Sequence, residues 1–280
     1  MGSPDAPLAG VSETALGAAE MRAEERARSD PLFDDPFAAA FVAAAPPLFP
    51  DLPSLTDDPA LAALKDAFLV EIAIRTRFYD DALLRACATG CRQLVILAAG
   101  LDARAFRLDW PDGVHVFELD LPNLFEFKER VLAQEHATPR CNRTVVAVDL
   151  RDDWATPLAR AGFDPGQQSA WTAEGLLAYL TNDDALGLLT EVGALSARGS
   201  TLSFEYDDFA AESTLSQVRD MAGMEAVASM WEGGLHERPD AWLRANGWEV
   251  TTSDRTTLAK SYGRPLADGS TGGFVTATRE

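Results

Sequence analysis

The sequence has few basic residues and no long hydrophobic run. Lysine and arginine number 24 against 44 aspartates and glutamates, which gives a formal net charge of −20 at pH 7. A surface of that sign repels phosphate backbones and anionic lipid headgroups, so we expect neither nucleic acid nor membrane surfaces as partners. The apolar run from Leu94 to Leu101 is far shorter than the roughly 20 residues that a membrane-spanning helix needs.

Cysteine is also scarce. Cys87, Cys91 and Cys141 are an odd number, and no two of them form a CxxC pair. This pattern argues against a disulfide framework and against a zinc site, so no metal is expected. The first residues, MGSPDAPLAG, lack the basic and apolar regions of a secretory signal. We therefore expect the protein to act in the cytoplasm.

The glycine pattern GxGxxG is missing from the most informative segment, LVILAAGLDARAFRLDWPDGVHVFELD. In that segment the apolar run Leu94–Leu97 ends in the turn Ala98-Ala99-Gly100, and the run Val114–Phe117 leads to Glu118 and Asp120. Strand, glycine turn, helix, strand and acid is the order in which an open parallel sheet presents a nucleoside site at its carboxyl edge. The missing glycines exclude the usual cradle for a pyrophosphate.

Gly100 and Asp120 are the first candidate site residues. They lie twenty positions apart, a spacing at which a carboxylate meets ribose hydroxyls while the glycine lets the backbone approach the ligand. Glu118 lies on the same face of the strand and is the alternative acid. An adenosine without a diphosphate is the expected ligand, and S-adenosylmethionine is the cofactor that fits this description.

Two further predicted strands end in acids. The run Thr144–Val148 leads to Asp149 and Leu150. The Asp149 carboxylate could accept a hydrogen bond from an adenine amino group, and Leu150 could pack on the adenine ring. The run Ser169–Thr172 leads to Glu174. Carboxylates at neighbouring strand ends would suit a ligand that carries sulfonium and amino groups. Isolated surface acids remain the alternative interpretation.

The whole pattern predicts an α/β fold with a seven-stranded, mostly parallel sheet and helices on both faces. Residues 1–88 contain no strand pattern and predict a helical cap, whereas residues 89–280 form the core. A helical insertion at about 207–239 is expected to overhang the carboxyl edge as a lid. The predicted strands lie near 93–98, 114–119, 144–149, 169–174, 200–206, 247–253 and 273–278. The predicted helices of the core lie at 122–136, 153–161, 181–196 and 237–246.

The runs VILAAGLDARAFRL, FELDLP, AVDLRDDW, TAEGLLAYL and RTRFYDD resemble actinobacterial S-adenosylmethionine-dependent methyltransferases related to leucine carboxyl methyltransferases. The resemblance covers roughly residues 12 to 206 and implies a Rossmann-like class I methyltransferase. It implies that Asp120, Asp149 and Leu150 bind the cofactor. It also implies that the Ala98–Gly100 turn lines the methionine part and that Glu174 lies at the pocket floor.

The resemblance carries further implications for the arginines. Arg77, in RTRFYDD, is implied to meet the cofactor carboxylate, and Arg75 is a competing candidate. Arg104 and Arg107 could be structural ion-pair partners. Ala98 stands where relatives often carry glycine.

Methyl transfer from a sulfonium needs mainly the alignment of nucleophile, methyl group and sulfur. A carboxylate acceptor needs no base, whereas a hydroxyl acceptor does. His115 lies inside a predicted strand and His236 in the insertion, so the sequence assigns no catalytic residue. It favours O-methylation of a small-molecule carboxylate or hydroxyl, and it gives no indication of oligomeric state.

Two other functions remain open. A nicotinamide-dependent oxidoreductase shares the architecture, but the triple-glycine turn and a Tyr-x-x-x-Lys pair are missing. A non-catalytic ligand-binding protein could retain the same fold.

Overall fold

The computed structural model describes residues 11–45, 59–206, 231–264, 266 and 272–280. Seven strands of this part form one sheet in the order β3-β2-β1-β4-β5-β7-β6. They are β1 Gln93–Leu97, β2 His115–Asp120, β3 Asn142–Ala147, β4 Ser169–Ala173, β5 Thr201–Tyr206, β6 Trp248–Asp254 and β7 Gly273–Arg279. Strands β1 to β5 are parallel, and β7 runs antiparallel between β5 and β6. The predicted seven-stranded, mostly parallel sheet is confirmed.

The central strands are buried on both faces because helices cover the sheet from both sides. All five residues of β1 and of β4 are buried, as a continuous apolar run in a parallel sheet requires. The helices are α1 Val11–Arg26, α2 Ala38–Ala44, α3 Pro59–Ala88, α4 Arg104–Arg107, α5 Pro122–Gln134, α6 Ala155–Arg160, α7 Asn182–Ala194, α8 Pro239–Ala245 and α9 Arg255–Ser261. One apolar core contains side chains of α1, α2, α5 and the end of α3, a second contains side chains of α6, α7 and α8, and a smaller one joins α3 and α9 to β7.

Helix α7 shows how local sequence sets an element. Thr181 caps its first turn by accepting a hydrogen bond of 3.2 Å from the backbone N–H of Asp184, which satisfies a donor without an intrahelical partner. Its buried apolar face repeats at helical spacing and comprises Ala185, Leu188, Leu189 and Val192. The helix therefore packs on the sheet and holds the turn before it, next to the carboxyl edge.

The structure differs from the expected elements in three places. Strand β3 spans 142–147 rather than 144–149, so Asp149 lies in the turn after the strand. Helix α9 and the 3₁₀ turn Leu177–Tyr179 were not predicted, and the helix expected after the glycine turn is the single turn α4, since helices this short depend on tertiary contacts. Most of the predicted insertion at 207–239 lies outside the described residues, and 231–238 is not helical.

The N-terminal helices pack directly on the sheet. Phe78 of α3 stacks on Phe274 of β7 with ring centroids 4.3 Å apart, and Leu16 of α1 is buried in the core that α1, α2 and α5 share. The division into a cap of residues 1–88 and a core stays a prediction. None of the described helices combines the length and the apolar character that crossing a membrane requires.

Candidate functional site

A cavity of about 250 Å³ opens at the carboxyl edge of the sheet. Residues that follow four neighbouring strands line one side of it: Ala98, Ala99 and Gly100 after β1, Asp120 and Leu121 at β2, Val148 to Arg151 after β3, and Glu174 to Leu176 after β4. Helices α1 and α3 line the other side with residues that include Ala15, Ala18, Arg22 and Arg75. Open parallel sheets bind their ligands at this edge.

Gly100 and Asp120 are joined directly. The backbone N–H of Gly100 donates a hydrogen bond of 2.6 Å to Oδ2 of Asp120, and the N–H of Leu121 donates one of 2.7 Å to Oδ1. Gly100 and also Ala98 have φ of +50°, a conformation that favours glycine. Burial raises the pKa of Asp120 although both amides lower it. The two turns and this carboxylate therefore form one rigid wall of the cavity.

The alternative acid on β2, Glu118, serves a structural role. Its fully buried carboxylate lies 2.6 Å from Nζ of Lys128 and 2.7 Å from a terminal nitrogen of Arg143. Such a charge is stable in the interior only because cations and hydrogen bonds compensate it. Glu118 does not line the cavity, which leaves Asp120 as the candidate on this strand.

Asp149 and Leu150 line the cavity from the turn after β3. Arg151 pairs with Asp149 at 2.6 Å, and this hydrogen bond lowers the pKa of the Asp149 carboxyl. The Asp149 side chain remains 27% exposed, so a ligand can still reach it. Leu150 packs against the apolar core beneath the cavity.

Glu174 follows β4 directly and contacts two guanidinium groups. Its Oε1 lies 3.1 Å from Nε of Arg75, and its Oε2 lies 2.7 Å from Nη1 of Arg104. Burial alone would raise the pKa of Glu174, but Arg104 and Arg75 lower it below its usual value. The carboxylate is thus held ionised in the cavity wall.

The two arginines of the RTRFYDD segment point to different places. Arg75 lines the cavity. Arg77 pairs with Asp81 at 2.9 Å, donates to the carbonyl of Leu32 and keeps 41% of its side chain exposed. Residues two positions apart on a helix do not share a face, so only one of the two can enter. The structure places Arg77 outside the cavity, and we therefore carry Arg75 forward in its place.

Arg104 and Arg107 are ion-pair partners, as one interpretation of the sequence held. Nε of Arg104 lies 2.6 Å from Asp80, and the same guanidinium pairs with Asp102 and Glu174. Arg107 contacts both carboxylate oxygens of Asp80, at 2.7 and 2.6 Å. Asp80 was not a sequence candidate, and the pair of acids that ends RTRFYDD was the signal that could have identified it.

His115 and His236 do not line the cavity. His115 shares a hydrogen bond of 2.8 Å with Thr144 and stacks on Phe117. The exposed His236 donates its backbone N–H to Asn182. No histidine or lysine occurs among the described residues that line the cavity. Among all the residues that the structure describes, no group of three or more His, Cys, Asp or Glu side chains is arranged to hold a metal ion.

Comparison of the sequence with known families and proteins gives a consistent result. The family model for leucine carboxyl methyltransferase matches residues 15–193. A protein of Parafrankia sp., provisionally named an S-adenosyl-L-methionine-dependent methyltransferase, is 46% identical over 97% of this chain and 88% of its own length. A Streptomyces coelicolor protein with the same provisional name is 42% identical over 96% of each chain.

Solved structures show the same fold at low sequence identity. A DUF574 family protein from Streptomyces avermitilis has a TM-score of 0.58 and 18% identity, over 94% of this chain and 97% of that one. A provisionally assigned methyltransferase from Thermobifida fusca has a TM-score of 0.54 and 16% identity, over 97% and 94%. The cavity at the carboxyl edge and the order of the strands suggest a nucleoside-binding enzyme, and the family match together with the similar proteins identifies the family. The chain belongs to the leucine carboxyl methyltransferase family of S-adenosylmethionine-dependent methyltransferases.

Proposed function

We propose that the protein transfers the methyl group of S-adenosylmethionine to an oxygen of a small-molecule acceptor, a carboxylate or a hydroxyl. The observation that carries the proposal is the cavity in which the strand-end residues meet. In this arrangement Asp120 binds the ribose hydroxyls, Asp149 accepts from the adenine amino group, and Leu150 packs on the ring. These roles suit the chemistry of the donors, since carboxylates accept hydrogen bonds from hydroxyl and amino groups.

The methionine part is assigned to the opposite end of the same wall. The turn at Ala98 and Gly100 lies beneath it, Glu174 accepts from its ammonium group, and Arg75 binds its carboxylate. Guanidinium matches a carboxylate in geometry and charge. When bound, the cofactor supplies an activated methyl group on a sulfonium sulfur.

An oxygen acceptor fits the side chains that line the cavity. The described lining residues include neither histidine nor lysine, and Glu174 is tied to two arginines. An amine acceptor arrives protonated and must lose a proton before it can attack, whereas a carboxylate arrives ionised. The residues then need only to align acceptor and methyl group and to exclude water.

We also propose a cytoplasmic location and a small-molecule acceptor. The three cysteines are free, which fits a reducing compartment. The net charge of −20 disfavours polyanionic acceptors such as nucleic acid.

The test uses S-adenosylmethionine with an isotopically labelled methyl group and a panel of small carboxylates, phenols, alcohols and amines. Methyl esters release labelled methanol in mild alkali, whereas aryl ethers and methylamines do not, so the product identifies the acceptor class. We expect transfer to carboxylates or hydroxyls, inhibited by S-adenosylhomocysteine. Transfer confined to amines would contradict the acceptor class. Cofactor binding without transfer to any compound would favour a ligand-binding protein.

A further inference from the structure

Tyr79 and Glu205 form a hydrogen-bonded pair beside the cavity. Tyr79 lies in the RTRFYDD run, whereas no sequence motif indicated Glu205 or the pairing of the two. The Tyr79 hydroxyl donates to Oε2 of Glu205, and the backbone N–H of Gly175 donates to Oε1. Tyr79 is fully buried on α3, Glu205 lies on β5, and Gly175 lies in the turn after β4. One carboxylate therefore joins three elements at the carboxyl edge.

Arg75 lies beside this pair, on α3 and against the turn after β4. Arg75 lies one helical turn before Tyr79, so both side chains project from the same face of α3. The guanidinium lies over the turn after β4, because a Cβ built on Gly175 would be 3.5 Å from both of its terminal nitrogens. Tyr79 and Glu205 thus support the helix and the turn between which Arg75 is held.

Glu205 also acts on Arg75 by its charge. Burial alone would lower the pKa of the Arg75 guanidinium, but Glu174 and Glu205 raise it above its usual value. Burial and the charge of Glu205 raise the pKa of Tyr79 well above its usual value. The phenol therefore keeps its proton and remains a hydrogen-bond donor throughout the neutral range.

We propose that Tyr79 and Glu205 are positioning residues that hold Arg75 in the orientation needed to bind the methionine carboxylate of the cofactor. The inference rests on the proposed function, since that function makes Arg75 the carboxylate-binding group. Neither residue touches the cofactor, and both act through Arg75 and the turn at Gly175.

The central experiment measures S-adenosylhomocysteine affinity by calorimetry in the Tyr79→Phe variant of the full chain. The substitution removes the hydroxyl and keeps the ring, which packs edge-to-face on Phe274. We expect affinity to fall about threefold to tenfold, the range for losing one hydrogen bond. Tyr262→Phe is the matched control, because that hydroxyl donates at 3.0 Å to Asp81 of the same helix, outside the cavity. The control should retain wild-type affinity.

A second ligand separates positioning from a general structural effect. The probe 5′-methylthioadenosine keeps the adenosine and lacks the amino acid part, so it cannot use Arg75. Tyr79→Phe and Glu205→Gln should weaken S-adenosylhomocysteine and leave this probe unchanged. Equal weakening of both ligands would overturn the inference. If Tyr79→Phe does not fold, Glu205→Gln carries the same comparison.

A double-mutant cycle tests whether the pair acts through Arg75. In an Arg75→Met background, Tyr79→Phe should cause no further loss of S-adenosylhomocysteine affinity, since coupled residues are not additive. Additive losses would contradict the inference. If Arg75→Met alone weakens binding while the other two variants do not, the positioning inference fails and the proposed function stands. If the wild-type protein binds neither ligand, both fail.

Discussion

Two buried ion networks, at different places in the molecule, are built from the same chemistry. The first, which we call the β2 network, consists of Glu118, Lys128 and Arg143, and its distances are 2.6 and 2.7 Å. The second, the edge network, consists of Arg75, Asp80, Asp102, Arg104, Arg107 and Glu174. Four of its ion pairs have distances of 2.6 to 3.1 Å, and Arg104 also pairs with Asp102. Only the edge network faces the cavity, where all of its members except Asp80 are lining residues. Position therefore distinguishes a structural cluster from a candidate site, since ion-pair geometry does not.

The two networks also differ in how much depends on one cation. In the β2 network Glu118 keeps Arg143 if Lys128 is removed. In the edge network Arg104 pairs with Asp80, Asp102 and Glu174 at once, so its removal weakens the compensation of three carboxylates, although Asp80 keeps Arg107 and Glu174 keeps Arg75. Removing one partner of a buried pair leaves an uncompensated charge, which costs more than the pair contributed. The comparison is therefore open to direct tests.

The largest expected effect is that of Arg104→Met. It should lower the free energy of unfolding by about 3–5 kcal/mol, because buried carboxylates lose a shared cation, and it should abolish measurable S-adenosylhomocysteine binding. Lys128→Met is the matched variant in the β2 network and should cost less stability and retain binding. Urea unfolding and calorimetry measure both quantities. Full binding by the Arg104 variant would remove the distinction between the networks.

The next effect compares two acids on one strand. Asp120→Asn should weaken S-adenosylhomocysteine binding about tenfold to a hundredfold, because a charged acceptor of hydrogen bonds is lost. Glu118→Gln should reduce stability and leave ligand affinity near the wild-type value. Calorimetry at one pH measures the ligand affinity of both variants. Equal affinity losses in the two variants would refute the assignment of Asp120 to the ribose.

The third effect is the pH dependence of protein stability and of S-adenosylhomocysteine affinity. The pKa of Asp120 is raised above 3.8 by burial, so its contribution to stability is complete below pH 3.8 and is lost as the pH rises through the raised value. Ligand affinity should move in the opposite direction and fall on acidification through that value, since the protonated carboxyl is a poorer acceptor. Asp120→Asn should flatten the affinity profile. An unchanged slope in this variant would assign the titration to another group.

Glu174 provides the opposite sign within the same cavity. Because Arg104 and Arg75 hold its pKa below 4.5 in spite of burial, its contribution to stability is present above pH 4.5 and is lost as the pH falls through the lowered value. Acid unfolding of Glu174→Gln should therefore be less steep than that of the wild-type protein.

The smallest effect concerns the backbone of the cavity wall. Ala98 has φ of +50°, which costs an alanine roughly 1 kcal/mol and a glycine little. Ala98→Gly should raise stability by about 0.5 kcal/mol after the added entropy of the unfolded glycine is subtracted. Ala99→Gly, at the neighbouring buried residue, should lower stability. Thermal unfolding measures both, and the same sign in the two variants would contradict the strain at Ala98.

The strand-end residues were predictable because two general rules locate them. Parallel strands present their carboxyl ends at one edge, and Asp120, Asp149 and Glu174 follow three such strands. Arg75 and Arg77 were harder to separate. Apolar and aromatic residues surround them on α3, so the sequence does not reveal which side of the helix faces the cavity.

Other features depend on contacts between distant parts of the chain. Tyr79 and Glu205 are 126 positions apart, and although Tyr79 lies in the RTRFYDD run, no local pattern links the two residues. The bounds of β3 were shifted because Asn142 and Arg143 are polar, although they pair with β2 at the sheet edge. Polar residues on an edge strand give little of the alternation from which strands are recognised.

The placement of Arg75 and Asp80 on α3 has a consequence for protein engineering. A polypeptide that starts at residue 89 would retain every strand of the sheet, yet it would lack Asp80, the ion-pair partner of Arg107, and Arg75, one of the two partners of Glu174. It would also expose the apolar side chains of the sheet that Leu16, Phe41 and Leu83 cover. We expect such a shortened product to be insoluble, so grafting this scaffold requires carrying its amino-terminal helices along.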